Sequence, residues 1–203
     1  NIPIQSKQEN TDLSDLHCDW LCENFDNVTK ITIDATNAYD SFESIFYDTE
    51  DYNLLSNANS KSRMRMMILY YMATSKRGLV VGTGNKVEDF GVGFYTKYGD
   101  GGVDISPIAD LTKTQVRQLA KSLNIKKQIL DAPPTDGLWE DSRTDESQIG
   151  ASYEELEWAM EYMTGSETEG LSDRQEKVLE IYTSFNSKNK HKMNPIPVYK
   201  LGE

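Results

Sequence analysis

The feature that most constrains the fold is a long helical pattern followed almost at once by a short β-branched segment and a glycine-rich loop. Residues 59–76, NSKSRMRMMILYYMATSK, predict a long helix that is apolar nearly all round and therefore deeply buried. Residues 79–84, LVVGTG, predict a parallel strand that empties into a loop. Ligands of parallel sheets bind at the carboxyl ends of the strands, so this loop is the first candidate for a functional site.

The rest of the chain continues the alternation of helices and short strands. Helices are predicted from the apolar spacing around residues 13–25, a weaker one in 38–46 and one with a single apolar stripe in 111–124. Residues 28–35, VTKITIDA, predict a strand, and the tail 187–199, SKNKHKMNPIPVY, is expected to be extended. The whole pattern indicates an α/β layer fold with a parallel sheet, and we expect residues 1–203 to form a single domain.

Two late helices begin with capping boxes, in which a serine and a side chain three residues later bond to each other's backbone. They are Ser152 with Glu155 and Ser172 with Gln175. Local signals of this kind predict where a helix starts without any knowledge of the packing around it.

Composition narrows the class of function. The chain has 203 residues, of which 37% are hydrophobic, and this is enough for a sizeable core. The formal net charge of -12 argues against nucleic acid and anionic membranes as partners, although a few focused lysines can still bind a small anion. We expect no membrane-spanning segment and a cytoplasmic protein whose Cys18 and Cys22 are reduced thiols.

The loop after the predicted strand, TGNKVEDFG, carries the first candidate residues. Thr83 and the open backbone N–H groups beside it suit phosphate oxygens, and Glu88 suits Mg²⁺. The alternative is an ordinary polar loop in which Thr83 caps the next helix.

The segment at residues 93–107, GFYTKYGDGGVDISP, carries the second set. Its aromatic residues can stack on a flat ring, Lys97 supplies a point charge, and glycines let the backbone come close to a ligand between Asp100 and Asp104. A β-hairpin tip is the structural alternative, because YGDGG suits a tight turn.

Further cations recur where anions could bind: Arg63 and Arg65 on the long helix, Lys113, and His191 with Lys192 in the tail. Each alone is more simply a surface cation, but together, in an acidic protein, they indicate a phosphate-rich ligand. Thr135 follows two prolines on a stiff loop and is either a ligand contact or a turn residue.

Together these motifs resemble the ammonia-dependent NAD synthetase family of the N-type ATP pyrophosphatases. The resemblance is carried by SRMRM, VVGTGNKVEDFGVGFYTKYGDGGVDISPIADLTKTQ, DAPPTDGLWED and the late HK pair, and the GFYTKYGDGG block is highly specific. It implies an adenine-nucleotide hydrolase-like, Rossmann-like fold, with helices on both faces of a parallel sheet, and a homodimer. It also implies that ATP adenylates the nicotinate carboxylate of deamido-NAD, and that ammonia then displaces AMP to give NAD.

The resemblance also implies a role for each matching residue. Contacts to ATP fall on Thr83, Lys113 and Thr135, and the Mg²⁺ ligand on Glu88. Contacts to deamido-NAD, partly from the partner subunit, fall on Arg63, Lys97, Asp104, His191 and Lys192. Asp100 lies where the family keeps a carboxylate near the reacting centre, and Asp100 or Asp104 is expected to hold and orient ammonium.

One family motif is absent from the sequence, namely the Ser-Gly-Gly-x-Asp-Ser loop that cradles the ATP pyrophosphate. We therefore expect the fold to lack its N-terminal strand and helix, either because the chain is a fragment or because it is a natural variant. With no glutaminase domain in these residues, free ammonia is the expected nitrogen donor. The alternatives are a non-catalytic relative that binds a dinucleotide and another amidating ligase of the same superfamily.

Overall fold

The computed structural model describes residues 1–139, 141, 143–165 and 170–201. The helices in this part of the chain are α1 (Gln8–Asn24), α2 (Thr36–Glu43), α3 (Leu54–Lys76), α4 (Lys113–Ser122), α5 (Lys127–Leu130), α6 (Asp145–Ile149), α7 (Tyr153–Met163) and α8 (Asp173–Met193). A wide π-helical turn over Lys86–Val92 lies between α3 and α4. None of these helices is both long and apolar enough to cross a bilayer.

The predicted parallel sheet is not confirmed. Within the described residues, strand pairing is limited to one isolated parallel bridge between Val81 and Ile105. Residues 31–35 are extended beside residues 1–3, because the Ile33 and Ala35 N–H groups donate to the Asn1 and Pro3 carbonyls at 2.9 and 3.0 Å. Pro3 has no N–H to return, so the ladder stops there and the predicted strand at residues 28–35 does not form.

A cavity of about 910 Å³ lies between residues 1–3 and the loop at Thr83. Its lining includes residues 1–3 on one side and Thr83, which follows the Val81 bridge, on the other. Val81 itself lines another cavity, of about 660 Å³, and keeps 54% of its surface exposed. Among the described residues, no backbone hydrogen bond joins residues 1–3 or 31–35 to the Val81–Ile105 bridge.

The late capping boxes are confirmed. Ser152 with Glu155 starts α7, and Ser172 with Gln175 starts α8, each with both reciprocal bonds. The prediction of an extended tail was wrong for its first half, because α8 continues to Met193 and is capped at Asn194, before the prolines. Lysines and a histidine in that last turn favour the helix, since cations stabilise the negative end of its dipole.

The expectation that the long helix is deeply buried was also wrong. In α3, Met67 is 64% and Tyr71 75% exposed, while Met66 and Ala58 are buried. The helix packs Met64 and Ile68 against a small core of Ile4, Ala35 and Tyr39. Several large apolar side chains of α3 are therefore left exposed, and the helix is not buried on all sides.

The larger core lies between the π-helical turn, α7 and α8. Its fully buried side chains include Val87, Val92, Tyr153, Leu156 and Ala159. Asparagines of α8 bind the carbonyls of the wide turn: Asn186 Nδ2 lies 2.7 Å from Gly91 O, and Asn189 Nδ2 lies 2.9 Å from Val92 O. This packing holds the turn that carries Glu88.

Candidate functional site

Two adjoining cavities form the centre of the candidate site. The first, of about 660 Å³, is lined by Thr83, Asp100 and Lys192 among the predicted site residues. The second, of about 910 Å³, is lined by Thr83 and Thr135. Arg65 lines both; its Nε donates to Ile2 O at 3.0 Å and it forms no ion pair within the described part of the chain. The loop after LVVGT, the site predicted first, therefore lies where the two cavities meet.

Glu88, on the turn that follows the Thr83 loop, forms an ion pair with Lys113. Asn85, not Thr83, caps the π-helical turn, since its side chain accepts from the N–H groups of Val87 and Glu88. Lys113 is the first residue of α4, and its Nζ lies 2.9 Å from Glu88 Oε1. The predicted Mg²⁺ ligand and the predicted ATP contact are thus brought together from two different elements.

The hydroxyl of a buried tyrosine forms a hydrogen bond with this ion pair. Tyr153, fully buried at the start of α7, places its hydroxyl 2.5 Å from Glu88 Oε1 and 3.1 Å from Asp145 Oδ2. The Lys113 ammonium also lies over the Tyr153 ring, 4.8 Å from its centroid. Two carboxyl groups therefore share a single phenol.

Asp145 is the second buried member of this cluster. Burial raises its pKa to about 6, with a further rise from the negative charges of Glu88 and Asp136, although Tyr153 and Lys113 oppose the shift. Its Oδ1 is buried with no hydrogen-bond partner among the described residues. A phenol has one proton and cannot donate to both carboxylates, so a protonated Asp145 would satisfy the arrangement.

Asp100 is held at the edge of the first cavity by the long helix. The buried Ser62 hydroxyl donates to Asp100 Oδ1 at 2.7 Å and accepts from the Asp100 N–H at 3.0 Å. The Thr96 N–H also donates to Oδ1, at 3.1 Å. Consecutive turns rather than a β-hairpin form this segment, and Ile105 pairs with Val81 instead.

Asp89 lies between Glu88 and this loop. Burial raises the pKa of Asp89 to about 6, and the negative charges of Glu88 and Asp100 add to the effect. Three carboxylates, of which Asp100 lines the first cavity, therefore lie close enough to repel one another, and a cation near them would relieve that repulsion.

Three other predicted residues form a chain away from the cavities. Arg63 Nε donates to Lys97 O at 3.2 Å, and Lys97 Nζ donates to His191 O at 2.7 Å. Lys192 turns inward instead, and its ammonium donates to Gly93 O and Tyr95 O at 2.9 and 2.7 Å. Burial lowers the pKa of Lys192, and the charge of Asp100 opposes that shift.

The side chains of the two remaining predicted residues, Asp104 and Thr135, form hydrogen bonds with other parts of the protein. Asp104 accepts from the Val80 N–H at 2.8 Å and from the Tyr70 hydroxyl at 3.1 Å, and so ties the loop to the extended segment before Thr83. Thr135, in the DAPPTDGLWED motif, donates to Arg143 O at 3.0 Å. Glu140 of this motif lies outside the described residues.

The sequence reasoning missed four residues of the site: Ser62, Asp89, Asp145 and Tyr153. Asp89 could have been noticed because it directly follows Glu88. Tyr153 directly follows the predicted cap Ser152, but nothing in a single sequence places its hydroxyl beside a residue 65 positions away. The described residues contain no cluster of three or more acidic, histidine or cysteine side chains able to hold a metal by themselves.

Comparisons with known proteins define the class. A model of the NAD synthase family matches residues 1–196, and this chain belongs to that family. It is 36% identical over 200 residues to the NH(3)-dependent NAD(+) synthetase of Methanocaldococcus jannaschii, covering 96% of this chain and 76% of that protein. It is 41% identical over 135 residues to the enzyme of the same name from Methanococcoides burtonii, covering 66% of this chain. The chain spans only 51% of the length of that second relative.

Among solved structures, the NMN synthetase of Francisella tularensis superposes with a TM-score of 0.83 at 29% identity, covering 98% of this chain and 77% of that chain. The arrangement of helices is therefore that of this family, although the described residues do not contain its predicted sheet.

Proposed function

We propose that this chain amidates deamido-NAD with ammonia, at the expense of ATP, to give NAD, AMP and pyrophosphate. The observation that carries the proposal is the match of residues 1–196 to the NAD synthase family, with relatives named NH(3)-dependent NAD(+) synthetase. The site fits this chemistry because cations, carboxylates and two adjoining cavities meet at the loop after Val81.

The first step would be adenylation. A carboxylate is a poor electrophile because it is anionic and has no leaving group, so its oxygen attacks the α-phosphorus of ATP and pyrophosphate leaves. Thr83 and Thr135 on the walls of the second cavity, with Lys113, would contact the nucleotide. Charge neutralisation and positioning then supply most of the catalysis.

Mg²⁺ would accompany ATP rather than occupy an all-protein site. Glu88 Oε1 already receives Lys113 and Tyr153, whereas Oε2 has no hydrogen bond from the described residues. Mg²⁺ is usually held by one or two carboxylates, waters and substrate phosphates, so a single free carboxylate oxygen fits it. When bound, the ion would neutralise charge on the departing pyrophosphate.

The second step would be attack of ammonia on the acyl carbon, with AMP leaving. Ammonium must first lose a proton, and a carboxylate at the site can hold and orient the cation. Asp100 is the better placed of the two proposed aspartates, because it lines the first cavity while both oxygens of Asp104 are engaged elsewhere. Lys192 would bind deamido-NAD in the same cavity. The family resemblance also gives contacts with deamido-NAD to Arg63, Lys97, Asp104 and His191, which do not line that cavity.

A homodimer would complete the site. The outer face of α3 and the loop before it expose large apolar side chains, namely Tyr47, Leu54, Leu55, Met67 and Tyr71. Apolar patches of this kind mark interaction surfaces. Light scattering should therefore show a dimer, and Tyr71→Glu should shift it to monomer; a wild-type monomer would exclude this part of the proposal.

The test is to incubate the chain with deamido-NAD, ATP, Mg²⁺ and ammonium and to measure AMP and NAD together. Equimolar AMP and NAD support the proposal, whereas dinucleotide binding without AMP release would indicate a non-catalytic relative.

Amidation of nicotinate mononucleotide is a second candidate, because the solved structure with a TM-score of 0.83 is an NMN synthetase. Running both substrates in parallel discriminates the two, since the preferred one has the higher kcat/KM.

A further inference from the structure

Tyr153 joins the Glu88–Lys113 ion pair to the segment that carries Asp145. On one side its hydroxyl lies 2.5 Å from Glu88 Oε1, and Glu88 belongs to the wide turn after Thr83. On the other side it lies 3.1 Å from Asp145 Oδ2. Asp145 is the first residue of α6, and its N–H donates to Pro134 O at 3.1 Å, next to Thr135.

The tyrosine itself is held rigidly. Its side chain is fully buried, its N–H donates to Glu146 Oε1 at 2.9 Å, and the Ser152–Glu155 capping box fixes the start of α7 around it. A buried aromatic ring with its backbone fixed has little freedom to move its hydroxyl. The position of that hydroxyl is therefore set by the core and not by the ligand.

Core packing alone does not explain the hydroxyl. Tyr182 is a second buried tyrosine of the same core, and its hydroxyl makes no hydrogen bond to any described residue. The Tyr182 hydroxyl is not among the buried polar atoms that lack a partner, so it does not depend on a protein group to satisfy it. The hydroxyl of Tyr153, in contrast, touches two carboxylates, one of them paired with a lysine.

We propose that Tyr153 is a positioning residue for the nucleotide subsite, and that its hydroxyl ties the Glu88–Lys113 pair to Asp145 and so to the Thr135 loop. The inference rests on the function proposed above. Without the hydrogen bond of the Tyr153 hydroxyl, the side chains of Glu88 and Lys113 would have more rotational freedom. The position of the Lys113 ammonium would then be less well defined. The tyrosine does not touch the reacting atoms, so its loss should weaken nucleotide binding more than it slows chemistry.

The closing experiment measures binding of ATP by calorimetry, with Mg²⁺ and with EDTA, in the absence of the second substrate. Tyr153→Phe keeps the ring and the contact with Lys113 and removes only the hydroxyl. We expect its Kd for ATP with Mg²⁺ to rise about 10-fold, as loss of a hydrogen bond to a charged group does. The KM for deamido-NAD should change less than two-fold, within roughly the error of such comparisons.

Tyr182→Phe is the matched control and should leave both constants unchanged. Because Tyr153→Phe leaves the buried Asp145 without a partner, a double variant that adds Asp145→Leu removes that cost while still lacking the hydroxyl. It should show the same loss of ATP affinity and a melting temperature no lower than that of the wild type.

The outcomes separate this inference from the proposed function. Unchanged ATP affinity in both folded variants overturns the positioning role alone. Equal losses for ATP and deamido-NAD also overturn it, because they indicate a general structural role. A wild-type chain that binds no ATP overturns both the inference and the function on which it rests.

Discussion

Replacing Gly93 with alanine should destabilise the protein strongly. Gly93 ends the π-helical turn with a left-handed φ of 64°, and an added Cβ would lie 2.5 Å from the Cβ of Asn189 on α8. The backbone strain costs about 1–2 kcal/mol. Pushing α8 away from the turn costs a further ~1–3 kcal/mol. The expected loss in the free energy of unfolding is the sum of the two, about 2–5 kcal/mol.

The assay is urea unfolding followed by circular dichroism, with no ligand present. Two other glycines act as matched controls. Gly150 has a φ of 90° but meets only Ile181 Cδ1 at 3.6 Å, so Gly150→Ala should lose only the strain, about 1–2 kcal/mol. Gly78 has nothing within 4 Å of an added Cβ, so Gly78→Ala should cost nothing. The crowding argument is refuted if Gly93→Ala loses no more than Gly150→Ala.

Three further predictions concern charge and packing. Asp145→Asn should raise the free energy of unfolding at about pH 8 by up to ~3 kcal/mol, because the native pKa, about 6, lies above the unfolded value of about 4. The contribution of Asp145 to stability is then fully present below about pH 4 and is lost as the pH rises to about 6. Asp89 has a similar pKa and adds a slope of the same sign, so the variant should show a smaller slope than the wild type in urea titrations, and an unchanged slope would contradict the assignment. Lys97→Ala should weaken deamido-NAD binding about 10-fold and leave ATP binding unchanged in calorimetry, and equal losses for both ligands would argue against its role. Leu156→Ala, in the larger core, should cost about 2–5 kcal/mol in urea unfolding, whereas a loss below about 1 kcal/mol would show that the core collapses around the gap.

The sequence indicated much of the site before the structure did. Glu88 and Lys113 are both predicted from motifs, and the structure brings them into contact across 25 positions. Thr83, Asp100 and Lys192 are also predicted and line one cavity. The functional roles of these residues stay predictions until ligand binding is measured.

Several expectations failed where a local pattern was used to predict a long-range arrangement. The apolar composition of residues 59–76 predicts burial, but what covers a helix depends on elements elsewhere, and here Tyr71 is left exposed. The β-branched run at residues 28–35 predicts a strand, but a strand needs a neighbour with a free N–H, and Pro3 has none.

What the sequence determined by itself is local. The helix starts at Ser152 and Ser172 are encoded by side chains three residues apart, which meet in almost any tertiary context. The tertiary structure alone decided that Tyr153, Asp145 and Glu88 share one phenol, because contacts between residues far apart in the chain depend on how α6, α7 and the wide turn pack. It also decided that residues 31–35 pair with residues 1–3 and that Val81 pairs with Ile105, since pairing of extended segments depends on their distance in space and not on their composition.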